Sequence, residues 1–228
     1  MKLPISVRLA ACAALVPAGA RVADIGCDHG YLGISLLRDG RAQEVFASDL
    51  REKPLQRAQE NARRFGVTER IHFLLADGLA AISPGTVDTV VIAGMGGDRI
   101  ASILAAAPWV RSGRYTLILQ PQSSGNDLRR WLGAEGFLIE AERLVRDSGF
   151  LYAAMRVQWG GGRALTPAEQ YCSPALLSSG SELLPEYLGR LSAALERTVQ
   201  GLAAGSEPER LAYYSAALRG IQEMREAL

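Results

Sequence analysis

A chain of 228 residues with 48% hydrophobic and 21% charged side chains is long enough for one full-sized core plus an appendage, or for two small domains, and has the balance of an ordinary soluble globular protein. Its formal net charge of +1 excludes no class of partner, but it does not advertise a strongly basic nucleic-acid binder. Residues 1–160 hold 19 Lys and Arg against 16 Asp and Glu, and the remainder 6 against 8, so any polyanion contact belongs more naturally to the first part. Only Lys2 and Lys53 are lysines; the prevalence of arginine suits bidentate phosphate contacts, and genomic base composition accounts for it at least as well.

Cys12, Cys27 and Cys172 are odd in number and widely spaced, which signals neither a disulfide framework nor a zinc site and makes a reducing cytoplasm the default. The apolar run Leu9 to Val16 is short and leads directly into a strand, so it reads as a helix and not as a signal peptide or membrane span. Ser6 is placed to cap that helix, and Pro17 with Gly19 to end it. Arg8 lies on a segment that should pass near the following glycine turn, where a substrate phosphate or base could meet it; the alternative is a solvated helix arginine.

Val22 to Ile25 reads as a buried strand, Gly26 to Gly30 as a sharp turn, and a helix begins near Tyr31. Glycines there let the backbone approach a ligand, and the amides at the helix start point towards it. The pattern is D-x-G-x-D-H-G, not the dinucleotide fingerprint G-x-G-x-x-G. Acidic side chains in such a turn repel a pyrophosphate but suit ribose hydroxyls, an ammonium or a sulfonium, so the turn leans towards S-adenosylmethionine over NAD.

Strand two, Glu44 to Ala47, ends at Ser48-Asp49-Leu50, which places Asp49 25 residues beyond Asp24, near where an acidic residue accepts ribose hydroxyls in nucleotide-cofactor folds; Asp49 could also cap the next helix. That helix opens at Pro54, carries an apolar stripe of Leu55, Ala58, Ala62 and Phe65, and closes at Gly66. Strand three, Ile71 to Leu75, ends at Asp77-Gly78. In a methyltransferase reading Asp77 accepts the exocyclic amine of the cofactor's adenine, and otherwise it caps a turn. Strand four, Thr89 to Ala93, runs into Gly94-Met95-Gly96-Gly97, a backbone suited to close approach by a ligand. Ile100, Ile103 and Leu104 mark the next helix, Tyr115 to Leu119 is strand five, and a helix over Asp127 to Leu132 follows.

Phe137 to Arg143 and Phe150 to Val157 then read as two strands around Asp147-Ser148-Gly149, with no room for a crossover helix, so the sheet closes with an antiparallel hairpin. Gly160 to Gly162 reads as a hinge, and Glu182 to Leu202 and Glu209 to Met224 as two long helices packed antiparallel. These helices either cover a hydrophobic patch or form a substrate-binding arm. The expected architecture is a Rossmann-like α/β sheet with a closing antiparallel hairpin over residues 1–159, plus a helical domain over 160–228.

Taken together, DIGCDHGYL at Asp24 to Leu32, SxRL at Ser6 to Leu9, IAGMGG at Ile92 to Gly97 and LILQPQ at Leu117 to Gln122 resemble the bacterial tRNA adenine-N1 methyltransferase family that modifies position 22. Cys27 stands where that family more often has a small hydroxyl residue, and Gln122 where it more often has asparagine. The C-terminal helices resemble the family's coiled-coil-like domain only in character. The resemblance implies methyl transfer from S-adenosylmethionine to adenine N1 of tRNA by a cytoplasmic enzyme without a metal or a membrane anchor. Candidate cofactor-binding residues are Asp24, Gly26, Cys27, Gly30, Asp49, Leu50, Asp77, Gly78, Ala93, Gly94 and Met95; candidate catalytic residues are Asp28, Arg8 and His29.

Two other readings stay open on the sequence: an NAD-dependent oxidoreductase, weakened by the missing fingerprint and the closing hairpin, and a non-catalytic binding module that has kept the fold. A metal enzyme is disfavoured, because His29 and His72, the two histidines, lie on different elements without paired-ligand spacing.

Overall fold

The structure is a computed structural model and describes residues 3–203 and 205–228; Lys2 lies outside the described residues. The chain runs α1 (Val7–Leu15), β1 (Ala20–Ile25), α2 (Tyr31–Arg38), β2 (Ala42–Asp49), α3 (Glu52–Phe65), β3 (Ile71–Leu75), β4 (Thr89–Gly96), α4 (Gly97–Ala105) and β5 (Thr116–Ser123). It continues through α5 (Gly125–Ala134), β6 (Phe137–Asp147), β7 (Phe150–Trp159), α6 (Pro167–Tyr171), α7 (Pro174–Leu177), α8 (Leu184–Ala203) and α9 (Pro208–Glu226). Among the described residues no helix is long and apolar enough to cross a membrane.

The seven strands form one sheet in the order β3-β2-β1-β4-β5-β7-β6. β1 to β5 pair in parallel, and β7 pairs antiparallel with both β5 and β6. Strand order reverses beside β1, which opens a crevice at the carboxyl ends of β1 and β4, the place where open α/β sheets take their ligands. Both faces are covered, so the central strands are largely apolar: Val22, Ala23, Ile25, Val90, Val91 and Ile92 are all buried. On one face α1, α2 and α3 pack Cys12, Leu15, Leu36, Leu55 and Ala62 against Val45, Ile118 and Ala154. On the other, α4 and α5 pack Ile100, Leu104, Leu128 and Leu132 against Ile92, Leu117 and Val157.

The expected local signals are realised at several ends. The Ser6 hydroxyl accepts the Leu9 amide, and Gly66 closes α3 in the left-handed region. Asp49 is not the cap of α3, which starts two residues before Pro54 with Arg51 at the capping position. The glycine run 160–162 is not a free hinge. Gly160 and Gly162 both donate to the Gly136 carbonyl, and a Cβ on Gly162 would sit 2.3 Å from the Phe137 carbonyl oxygen. A close backbone approach, and not conformational freedom, accounts for that glycine.

The connection after β7 holds two short helices, α6 and α7, that the apolar pattern did not reveal, each opened by a capping hydroxyl, Thr166 or Ser173, followed by proline. They fasten the C-terminal helices to the sheet. Leu144 and Ala153 of the hairpin share a core with Leu176, Leu184, Leu188, Leu195, Ala217 and Ile221. Beside this core lies an ion pair with no solvent: Arg129 of α5 and Glu142 of β6, at 3% and 0% side-chain exposure. Burial disfavours the Arg129 cation, but the adjacent Glu142 carboxylate outweighs it and holds the guanidinium above its ordinary pKa. Arg129 also donates to the Gln170 carbonyl at 3.2 Å, and the Ser173 hydroxyl to Glu142 at 2.6 Å.

Removing one partner of a buried pair leaves the other charge uncompensated. Glu142→Ala should therefore cost about 3–5 kcal/mol of stability in urea unfolding, while Arg129→Met combined with Glu142→Leu should recover most of it. A single-variant loss below about 1 kcal/mol would show that the pair does not hold α6 and α7 to the sheet.

Candidate cofactor and catalytic site

The ends of β1, β2, β3 and β4 converge on the crevice with residues of α1, α4 and β5. Gly26 and Cys27 donate their amides to the Ser48 carbonyl at 2.8 and 2.9 Å, so the turn after β1 is tied to the end of β2. Asp28 holds a left-handed backbone (φ 49°), which few non-glycine residues adopt, and Gly30 at φ 73° opens α2. No side chain caps α2, so Asp28 is not a helix cap. The Asp28 amide instead donates to Oδ2 of Asp49 at 3.2 Å, and the Arg51 amide to Oδ1 at 2.9 Å. A carboxylate has about four acceptor positions, so the nearly buried Asp49 keeps capacity for a further donor.

These segments enclose a cavity of about 480 Å³, within the range of small-molecule sites. Asp24, Gly26, Cys27, Asp28, Asp49, Leu50, Asp77, Gly78, Ala93, Gly94, Met95 and Arg8 all line it, so twelve of the fourteen candidates meet in one place. His29 and Gly30 do not line it. The His29 ring stands beside Tyr31 at 5.8 Å and 3.6 Å from Oδ2 of Asp28, and its carbonyl accepts the side chain of Asn61 of α3. Gly30 serves geometry, since a Cβ there would lie 3.0 Å from that of Ala58.

Arg8 is no solvated arginine. Its guanidinium donates to Oε1 of the fully buried Gln120, which also accepts the Gly94 amide at 3.2 Å. It lies 5.8 Å from the centre of the Tyr152 ring, and among the described residues no carboxylate pairs with it. Reasoning from sequence missed Gln120 and Tyr152 in this role, and it missed Arg99 of α4, which pairs with Asp77 at the other end of the cavity. Gln120 had a signal, as a polar residue closing an apolar strand. Arg99 had none beyond its helix position.

Asp24 is 3% exposed and accepts the Gly33 amide at 3.3 Å. Burial pushes its carboxyl up to about 7, the Gly33 amide opposes this, and the charge of Asp49 adds to it. The cavity thus gathers four carboxylates, one of them reluctant to ionise until a cation arrives. A diphosphate does not fit such walls. A molecule with a sulfonium, an ammonium and ribose hydroxyls does. Among the described residues no group of three or more His, Cys, Asp and Glu could hold a metal ion.

A mixed seven-stranded sheet with this acidic, glycine-walled crevice at its switch point defines a Rossmann-like methyltransferase. Residues 5–155 match the family model of the methyltransferase domain, and the chain belongs to that family. It is 33% identical to the tRNA (adenine(22)-N(1))-methyltransferase of Bacillus subtilis over 159 residues, which cover 70% of this chain and 67% of the relative. The chain is accordingly a member of the tRNA (adenine(22)-N(1))-methyltransferase group within that family. The crystal structure of the B. subtilis m1A22 tRNA methyltransferase superposes with a TM-score of 0.86 at 26% identity, covering 98% of this chain and 100% of the other. A Streptococcus pneumoniae protein crystallised in complex with S-adenosyl-L-methionine superposes with a TM-score of 0.82 at 32% identity, covering 97% and 99%.

The buried acid makes the ligand-free protein sensitive to pH. The unfolded chain ionises this group near 3.8, whereas the native cavity keeps it protonated up to about 7. Native stability should therefore be greatest below pH 4 as regards this group, fall as pH rises from 4 to 7, and level off above. Asp24→Asn should remove that slope and leave the ligand-free variant more stable than the parent at pH 8, by up to about 4 kcal/mol. Urea unfolding at pH 4.5, 6 and 8 tests this, and parallel stability curves for the two proteins would refute it.

Proposed function

We propose that this protein transfers a methyl group from S-adenosylmethionine to N1 of the adenine at position 22 of tRNA. The observation that carries the reading is the convergence of Asp24, Asp28, Asp49 and Asp77 with Gly26 and Gly94 on one cavity at the strand ends, in a chain of this family. Action on tRNA places it in the cytoplasm, a compartment that suits its three free, buried cysteines. We assign cofactor and chemistry to residues 1–159 and help in positioning tRNA to residues 160–228.

When bound, S-adenosylmethionine supplies an electrophilic methyl on a sulfonium. Adenine N1 already offers its lone pair, so the protein need not generate a nucleophile; it must orient the base and stabilise the charge that the product gains. Asp49 accepts the ribose hydroxyls, and Asp77, held by Arg99, borders the adenine end together with Gly78. Ionised Asp24 balances the cationic end. Gly26 has no Cβ because the Met95 methyl, 2.3 Å from where one would be, fills that space. Arg8 offers its charge to a carboxylate or phosphate at the same end.

Asp28 is the catalytic carboxylate. Its backbone is pinned by Asp49, it is spared from capping, and its side chain remains 59% exposed at the cavity wall. Methylation makes the base cationic and its exocyclic amine a better donor, so a carboxylate on that amine favours the transition state over the ground state. Removal of an amine proton by Asp28 is not required.

Incubation with bulk unmodified tRNA and labelled cofactor should yield 1-methyladenosine on nucleoside analysis, and its absence would refute the reading. Asp28→Asn should lower turnover on the order of 100-fold with cofactor affinity within a few-fold; near-normal turnover would remove it from catalysis. Asp49→Ala should weaken cofactor binding by about 10- to 150-fold in calorimetry, the loss of about 1.5–3 kcal/mol expected for a charged acceptor. Unchanged affinity would sink the ribose assignment.

A further inference from the structure

The tip of the β6–β7 hairpin carries a feature that the cofactor cavity does not explain. Phe150 is 64% exposed, at the first position of β7. Two positions on, Tyr152 projects to the same face of the strand, with ring centres 6.3 Å apart and planes inclined at 48°. The next group in the row is the Arg8 guanidinium, 5.8 Å from the Tyr152 ring, and Arg8 lines the cavity. A continuous track therefore runs from the cavity wall through a cation and two rings to solvent.

The track is rigid. Ser148 (φ 50°) and Gly149 (φ 83°) form a two-residue turn with both residues in the left-handed region, the geometry that matches strand twist. Asp147 accepts the Arg8 amide on Oδ2 at 3.2 Å and the Ser148 hydroxyl on Oδ1 at 3.2 Å, so the only acid of the turn is engaged at both oxygens and α1 is anchored to the tip. An exposed phenylalanine gains nothing in folding, and a ring held on a stiff hairpin loses little entropy on contact with a flat ligand.

We propose that Phe150 and Tyr152 form a stacking platform for unstacked nucleotides of the RNA substrate, next to the base being methylated. This rests on the tRNA reading above. Aromatic faces accept splayed bases of any sequence, and an arginine beside them suits the linking phosphate. A target adenine that leaves its stack to reach the cavity also leaves its neighbours without partners, and the platform supplies them.

The test measures binding of an unmodified tRNA transcript to the full chain by fluorescence anisotropy at several salt concentrations, with cofactor binding measured by calorimetry alongside. Phe150→Ala should weaken tRNA binding by about 5- to 150-fold, the range for one base–aromatic stack, with cofactor affinity within twofold. Phe150→Tyr and Tyr152→Phe, which keep the rings, should bind like the parent. The salt dependence should keep its slope in all of them, because no phosphate contact is lost. Tyr152 is half-buried, so the exposed Phe150 carries the test if Tyr152→Ala does not fold. Normal tRNA affinity for Phe150→Ala, in a protein whose parent makes 1-methyladenosine, overturns the platform and leaves the methyltransferase reading standing. A change in sedimentation without a change in tRNA affinity assigns the surface to a protein contact and overturns it equally. Failure of the parent to bind tRNA overturns both.

Discussion

The Asp49 carboxylate accepts the Asp28 amide on one oxygen and the Arg51 amide on the other, while the Asp49 carbonyl accepts the amide of Ala76 at 3.0 Å. One residue at the end of β2 thereby fixes the turn after β1, the start of α3 and the exit from β3. Each bond is modest in water. At 5% exposure they act with little competition from solvent, and together they turn three loops into one wall. Everything else in the cavity is placed relative to that wall, including the strained Asp28, whose left-handed backbone persists because its amide has a fixed partner.

On the far side of the crevice, Gln120 plays a matching part with an uncharged side chain. Its Oε1 takes Arg8 and the Gly94 amide, and its Nε2 donates to the Pro121 carbonyl at 2.7 Å. Two buried polar side chains on opposite walls thus hold the loops whose glycines leave room for a ligand. The cavity carries both signs, Asp24, Asp28, Asp49 and Asp77 sharing its lining with Arg8, Arg51 and Arg99, which fits a zwitterionic molecule better than a uniformly charged one.

Periodicity made the parallel units and the closing hairpin legible, because strands buried on both faces are largely apolar and Asp147-Ser148-Gly149 leaves no length for a crossover. The acidic strand ends were legible for the same reason, as polar residues terminating apolar runs. What escaped was tertiary. No local pattern says that Arg129 meets Glu142 thirteen residues on, that Gly162 is pressed against the Phe137 carbonyl, or that the His29 ring stands beside Tyr31 while its neighbour Asp28 lines the cavity. The short helices α6 and α7 were hidden because four or five residues are too few for a helical stripe, although both begin with a hydroxyl and a proline.

The bond from the Arg8 amide to Asp147 spans 139 residues, and that from the Arg8 side chain to Gln120 spans 112. Contacts of such separation are slow to form, since loop closure must precede any gain from them. During synthesis α1 leaves the ribosome first, yet neither partner exists until most of the sheet has been made. The Arg8 wall of the cavity is therefore completed only after the strands that carry its acids. A chain stalled before the hairpin already holds Arg8, Gln120 and the acids that end β1 to β3, but it lacks Asp147, so α1 is still without its anchor to the far edge of the sheet.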